Sequence, residues 1–172
     1  MLMNVKEYMT YDATGLAALV RNRQVTPEEL MQAAFNRLNE VNPELNAVIQ
    51  TRQDQVLKDI KELHEYQPFA GVPFVLKNIS QGIKNEPLTA GALLLKDVKA
   101  NSDSHFVDRL KQAGFLMIGH TNTPEFGLRN VTETCVTWAN EKSLEYGLFS
   151  RRLKRRDSSS CCKRHCTCWR SK

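Results

Sequence analysis

Two short apolar runs constrain this chain more than anything else in it. Gly71-Val72-Pro73-Phe74-Val75-Leu76 and Phe115-Leu116-Met117-Ile118 are brief and bounded by turn or cap signals. Both read as buried strands. Pro73 stands near the start of the first, where a missing N–H does least harm. Before the second strand, Ser102-Asp103-Ser104 offers a helix cap and Gly114 a left-handed stop, with Phe106, Val107 and Leu110 on one face. Helix and short apolar strand in succession point to an α/β layer structure.

The upstream residues add helices. Asp12 caps a short one carrying Leu16, Leu19 and Val20. Thr26-Pro27-Glu28-Glu29 is a stronger start, with Thr26 as N-cap, Pro27 in the first turn and Glu29 closing a capping box. Leu30, Ala33, Ala34, Leu38 and Val41 then recur at helical spacing. Asn42-Pro43 predicts the stop, because the residue before proline avoids helical angles. Leu45–Ile49 reads as strand-like. A charged helix is expected from about Arg52 to Tyr66, with Val56, Ile60 and Leu63 inward.

Composition supports a globular chain. Apolar residues are 41% and charged residues 25% of the 172, which excludes general disorder, collagen and coiled coil. No apolar run is long enough to span a bilayer. Lys6, Glu7 and Asp12 interrupt the start before any signal-peptide core forms, so a cytoplasmic location and no membrane partner are expected. The net charge of +5 is uneven. Residues 1–140 hold 14 Lys and Arg against 16 Asp and Glu, and residues 141–172 hold 10 against 3. Four of the five cysteines, Cys161, Cys162, Cys166 and Cys168, also lie in the tail.

Lys77 ends the first apolar run. Taken alone it is either a lysine snorkelling to the surface or one desolvated enough to serve as a base. Its surroundings decide between the two. Gly71–Asn78 resembles the G-[IV]-P-x-x-[LV]-K-[DN] element of amidase signature hydrolases. Thr89-Ala90-Gly91-Ala92 is similar to that family's T-A-G-S. Val107, Arg109, Leu110, Lys111, Ala113 and Gly114 match its next helix, and Ile118–Gly127 resembles I-[LG]-G-K-T-N-x-x-E-F-[AG]. The resemblance covers roughly residues 10–134. His120 stands where the family usually has lysine, Ala92 where it has serine, and Asn78 where aspartate is commoner.

The resemblance implies the N-terminal part of an α/β/α sandwich on a mixed sheet, here incomplete. It implies hydrolysis of C–N amide bonds in small-molecule substrates by a serine, a bridging serine in a cis peptide, and a lysine, without metal or organic cofactor and without nucleic acid as a partner. Lys77 matches the catalytic lysine. No substrate-binding residue is carried over. Both serines belong to glycine-rich segments, G-G-S-S-G-G and then G-G-S, and neither is present in this chain. Ser158-Ser159-Ser160 lies between Asp157 and Cys161 instead of glycines and receives no role.

The tail invites a reading-frame explanation. Trp138–Leu144 can be encoded so that a shift of one base reads GPTRNPW, and Leu148–Arg156 so that it reads YSAGGSSGG. Residues 1–134 are therefore expected to be the N-terminal part of an amidase domain, and 135–172 an out-of-frame, disordered basic tail. The competing reading makes Cys161–Cys168 with His165 a zinc site, or Arg151–Arg156 a nucleic-acid-binding stretch. The cysteine spacing lacks two separated C-x2-C pairs, and a basic segment with few apolar residues cannot fold alone. Cys135 is read as a lone thiol, and His64 and His105 as ordinary residues on helix surfaces.

Overall fold

A computed structural model describes residues 3–128, 132–134 and 138–139. The tail from 140 onward, with both of its competing readings, lies outside the described residues, as does Cys135. The chain begins with three helices, α1 (Val5–Tyr8), α2 (Ala13–Arg21) and α3 (Pro27–Leu45). Asp12 caps α2 by accepting a hydrogen bond from the Gly15 amide at 2.7 Å. The capping box at Thr26 closes as expected. The Glu29 amide donates to the Thr26 hydroxyl at 3.2 Å, and the Thr26 amide donates to the Glu29 carboxylate at 3.0 Å. Leu30, Met31, Ala33, Ala34 and Phe35 form the buried stripe of α3.

The stop expected at Asn42-Pro43 falls slightly later. The helix runs through Pro43 to Leu45 and ends where Asn46 turns left-handed, at φ 48 and ψ 36. Pro43 sits in the last turn, where the missing N–H removes one bond near the helix end and not in mid-helix. The Asn42 side chain clasps the next strand. Its amide donates to the Val48 carbonyl, and its oxygen accepts from the Val48 amide, both at 2.8 Å.

Strand β1 (Val48–Thr51) follows, then α4 (Gln53–Asp59). The expected helix to Tyr66 is shorter. It tightens into a 3-10 turn at Ile60–Glu62, and Leu63 is extended. Gln67 competes for the backbone here. Its side chain accepts from the His64 amide and donates to the Lys111 and Gln112 carbonyls, which ties the segment to the end of the last helix. His64 therefore lies beyond the helix, exposed and stacked on Tyr66 with centroids 5.2 Å apart.

Strands β2 (Pro73–Lys77) and β3 (Leu116–Thr121) flank α5 (His105–Ala113). Ser104 caps α5, and exposed His105 opens it. Gly114 ends it at φ 94, and a side chain there would meet the Ala70 backbone at 2.8 Å. Only glycine meets both demands. Phe106 departs from the expected buried face. It is 46% exposed, with its ring 6.4 Å from that of Phe74, while Val107 is fully buried.

The sheet order is β1-β3-β2, with β3 antiparallel to β1 and parallel to β2. A separate two-residue pair joins β4 (Glu133–Thr134) to β5 (Trp138–Ala139). Leu116 and Ile118 of β3 pack into a cluster with α2, α3 and Val56 of α4, whereas Met117 packs with Leu76, Ile83 and Val107. Both faces of the central strand are thus covered, the layering expected of an α/β sandwich.

Candidate active site

The strand alternation of β2 buries Leu76 and leaves Val75 and Lys77 exposed. Lys77 ends the strand in register with Thr121. Its amide donates to the Gln81 side-chain oxygen at 2.6 Å, and its carbonyl accepts from the Ile79 amide at 2.8 Å. The next residue locks this end of the sheet. The Asn78 amide donates to the Thr121 carbonyl at 3.3 Å, and the buried Asn78 oxygen accepts from the Thr89 amide at 2.9 Å. The seclusion expected around Lys77 is absent in this chain. Its side chain is exposed, at the end of an edge strand with no neighbour on its outer side among the described strands.

Three of the sequence words meet here. The Phe126 amide donates to the Ala90 carbonyl at 2.9 Å. Gly91, at φ 67, presses its backbone against residues 123 and 124, where an added Cβ would lie 2.4 Å from the Thr123 carbonyl oxygen. Ala90 and Phe126 are themselves left-handed, at φ 49 and 52. Two non-glycine residues in that region, held facing each other, store strain that the surrounding packing must sustain. These loops give the strand end a fixed backbone surface beside the lysine.

A buried polar cluster lies in the same sheet, and the sequence did not announce it. His120 has no exposed surface, and its Nε2 is 2.9 Å from a Glu86 carboxylate oxygen. The other Glu86 oxygen accepts from Arg52 Nε at 2.6 Å. Arg52 also donates through Nη1 to the Met117 carbonyl at 2.6 Å and to Asp59 at 3.3 Å. Burial pushes the Glu86 carboxyl upward, but hydrogen bonds from His120 and Arg52 outweigh it and hold the group below the usual carboxylate range. Asp103 is likewise held low. Burial opposes ionisation there, and the Lys111 ammonium and the Lys84 amide overcome it. A histidine placed among buried apolar strand residues was the one available signal, since such a ring needs a polar partner.

Among the described residues no helix is long and apolar enough to cross a membrane, and no three His, Cys, Asp or Glu side chains group as metal ligands.

The mixed α/β sheet is a fold that amidase signature enzymes share. The Amidase family model matches residues 29–141. A lipoamidase of Enterococcus faecalis is 43% identical over 129 residues, which are 74% of this chain and 18% of the relative. A 6-aminohexanoate-cyclic-dimer hydrolase of Paenarthrobacter ureafaciens is 38% identical over 124 residues, 71% of this chain and 25% of that protein. A solved structure of 6-aminohexanoate cyclic dimer hydrolase superposes with a TM-score of 0.73 and 34% identity, over 77% of this chain and 27% of that one. Fatty acid amide hydrolase shares the fold, with a TM-score of 0.75 at 18% identity. The chain belongs to the amidase signature family. It spans only 18% to 27% of the length of the first relatives it matches.

Proposed function

We propose that this chain is the lysine-bearing N-terminal part of an amide-bond hydrolase, and that alone it does not hydrolyse amides. The observation that carries the reading is the position of Lys77, at a strand end flanked by Asn78, Thr121 and the 89–91 and 123–127 loops. In the complete reaction Lys77 accepts a proton relayed through a bridging serine. The nucleophilic serine then attacks the amide carbonyl, and backbone N–H groups of a glycine-rich loop hold the oxyanion. Neither serine-bearing segment occurs in this sequence, so the lysine has nothing to deprotonate. The substrate class is a small-molecule amide. The division at 134 and the shifted reading frame after it belong to the same proposal, as does a location in the cytoplasm.

The coding DNA tests this directly. A second frame across residues 133–172 encoding G-G-S-S-G-G is the expected result. Restoring that frame, together with the sequence that follows it, is expected to give an amidase that Lys77→Ala abolishes. An alternative frame that encodes no such segment overturns the frameshift. A restored enzyme indifferent to Lys77→Ala overturns the assignment of the base.

A further inference from the structure

We propose that the Lys77 end of this chain is a docking face for a second polypeptide, the serine-bearing remainder of an amidase domain, and that the pair hydrolyses amides that neither part hydrolyses alone. The joint activity rests on the reading of Lys77 as the base, and the docking face does not. The chain spans 18% to 27% of the first relatives it matches, so most of the length of those proteins has no counterpart here. What the chain does contain is packed against β3. Leu116 and Ile118 lie in one buried cluster and Met117 in the other. Exposed apolar side chains gather at one end of the sheet, around Lys77.

Three segments meet there. The Asn78 oxygen accepts from the Thr89 amide, and the Phe126 amide donates to the Ala90 carbonyl. A Cβ added to Gly127 would lie 2.9 Å from Ile79 Cδ1. Val75, Leu93, Leu94, Phe126 and Leu128 stand within a few residues of these anchors, and all five are exposed. An exposed apolar patch of this kind marks an interface. The length of the relatives that is missing here says what covers it. The backbone offers the same partner polar contacts. The Val72 carbonyl accepts from the Leu116 amide, and the Asn78 amide donates to the Thr121 carbonyl. The even-numbered residues of β2 therefore face β3, and Val75 turns its amide and carbonyl outward. The Lys77 side chain is exposed. A polypeptide laid over this end excludes water from it, the setting in which a lysine works as a base.

The test supplies the remainder from a relative. The 6-aminohexanoate-cyclic-dimer hydrolase of Paenarthrobacter ureafaciens is cut to begin after the segment that this chain matches, tagged, and co-expressed with the full 172-residue chain. Co-elution of the two from the affinity column is expected. The complex is then given 6-aminohexanoate cyclic dimer and read for free amine. Water adds across one C–N bond of the ring, so each turnover yields one amine and one carboxyl group. Ring opening is expected about a hundredfold above either polypeptide alone, the order that a positioned base contributes. Lys77→Ala is expected to co-elute without turnover. Leu94→Glu with Leu128→Glu is expected to lose co-elution, while Tyr66→Glu, exposed at the opposite end of β2, keeps it. A chain that does not co-elute overturns the docking face, whether or not the remainder is soluble by itself. Capture that the double variant leaves intact overturns it too. Co-elution with turnover that survives Lys77→Ala overturns the base and leaves the docking face standing. Co-elution without turnover overturns the joint activity.

Discussion

Arg52→Ala removes the cation from the interior of the sheet, and the structure sets the size of the effect. The Arg52 side chain is 4% exposed, and its partners Glu86 and Asp59 are 18% and 23% exposed. The Met117 carbonyl loses a donor at the same time. Removing one member of a buried pair leaves a stranded charge and costs about 3–5 kcal/mol. Set against a total stability of about 5–15 kcal/mol for a small domain, that is a large share. The control is Arg23→Ala, which breaks an ion pair to Glu65 with side chains 82% and 89% exposed and is expected to cost about 0–1 kcal/mol. Pulse proteolysis across a urea series reads the folded fraction in dilute sample. With a urea slope of about 1–3 kcal/mol/M, Arg52→Ala shifts the midpoint by at least about 1 M, and Arg23→Ala by much less. Equal small shifts in the two variants would refute the claim that burial makes the Arg52 cluster structural.

Other outcomes follow from the same geometry. Glu86 and Asp103 are both held low in the folded chain. Their contribution is complete above the unfolded carboxylate values of about 4 and is lost as pH falls through the lower folded values. Acid unfolding followed by circular dichroism is expected to have a shallower pH dependence in Glu86→Gln, and an unchanged profile would contradict the shift at Glu86. Gly91→Ala places a Cβ 2.4 Å from the Thr123 carbonyl oxygen at φ 67, and the left-handed strain alone is about 1 kcal/mol. The same urea series is expected to show a clear loss of stability, and a neutral result would mean that the 89–91 turn does not press on residues 123–124. Leu94 and Leu128 are 86% and 82% exposed, and β2 presents an edge. The isolated chain is expected to aggregate, and Leu94→Glu with Leu128→Glu to raise its soluble yield severalfold in a centrifugation assay. A wild-type chain as soluble as the double variant would contradict this.

The parts of the fold legible in the sequence were those governed by neighbours along the chain. Thr26 and Glu29 lie three residues apart and make both bonds of the capping box. Ser104 and Gly114 bracket α5 for reasons visible in their own chemistry. The misjudged ends depended on distant partners. α3 runs past Asn42-Pro43 to a left-handed Asn46 while the Asn42 side chain holds Val48, and the segment after Glu62 is tied by Gln67 to the end of α5. At the candidate site, the lysine and its loops were marked by local words, and the sheet register brings Lys77 to Thr121. The Arg52–Glu86–His120 cluster was not legible, because Glu86 is 34 positions from each partner and lies in a connection without periodicity. Arg52 looked like the first residue of a solvent-facing helix. Its burial follows from the carbonyl and carboxylates that the fold brings to it.

The most direct measurement is release of aryl amine from a chromogenic anilide by the purified 172-residue chain, run beside Lys77→Ala. Release at the buffer rate from both proteins is the expected result, because the proposed base, without its serines, has no step to perform. Turnover by the wild type that Lys77→Ala eliminates would contradict it.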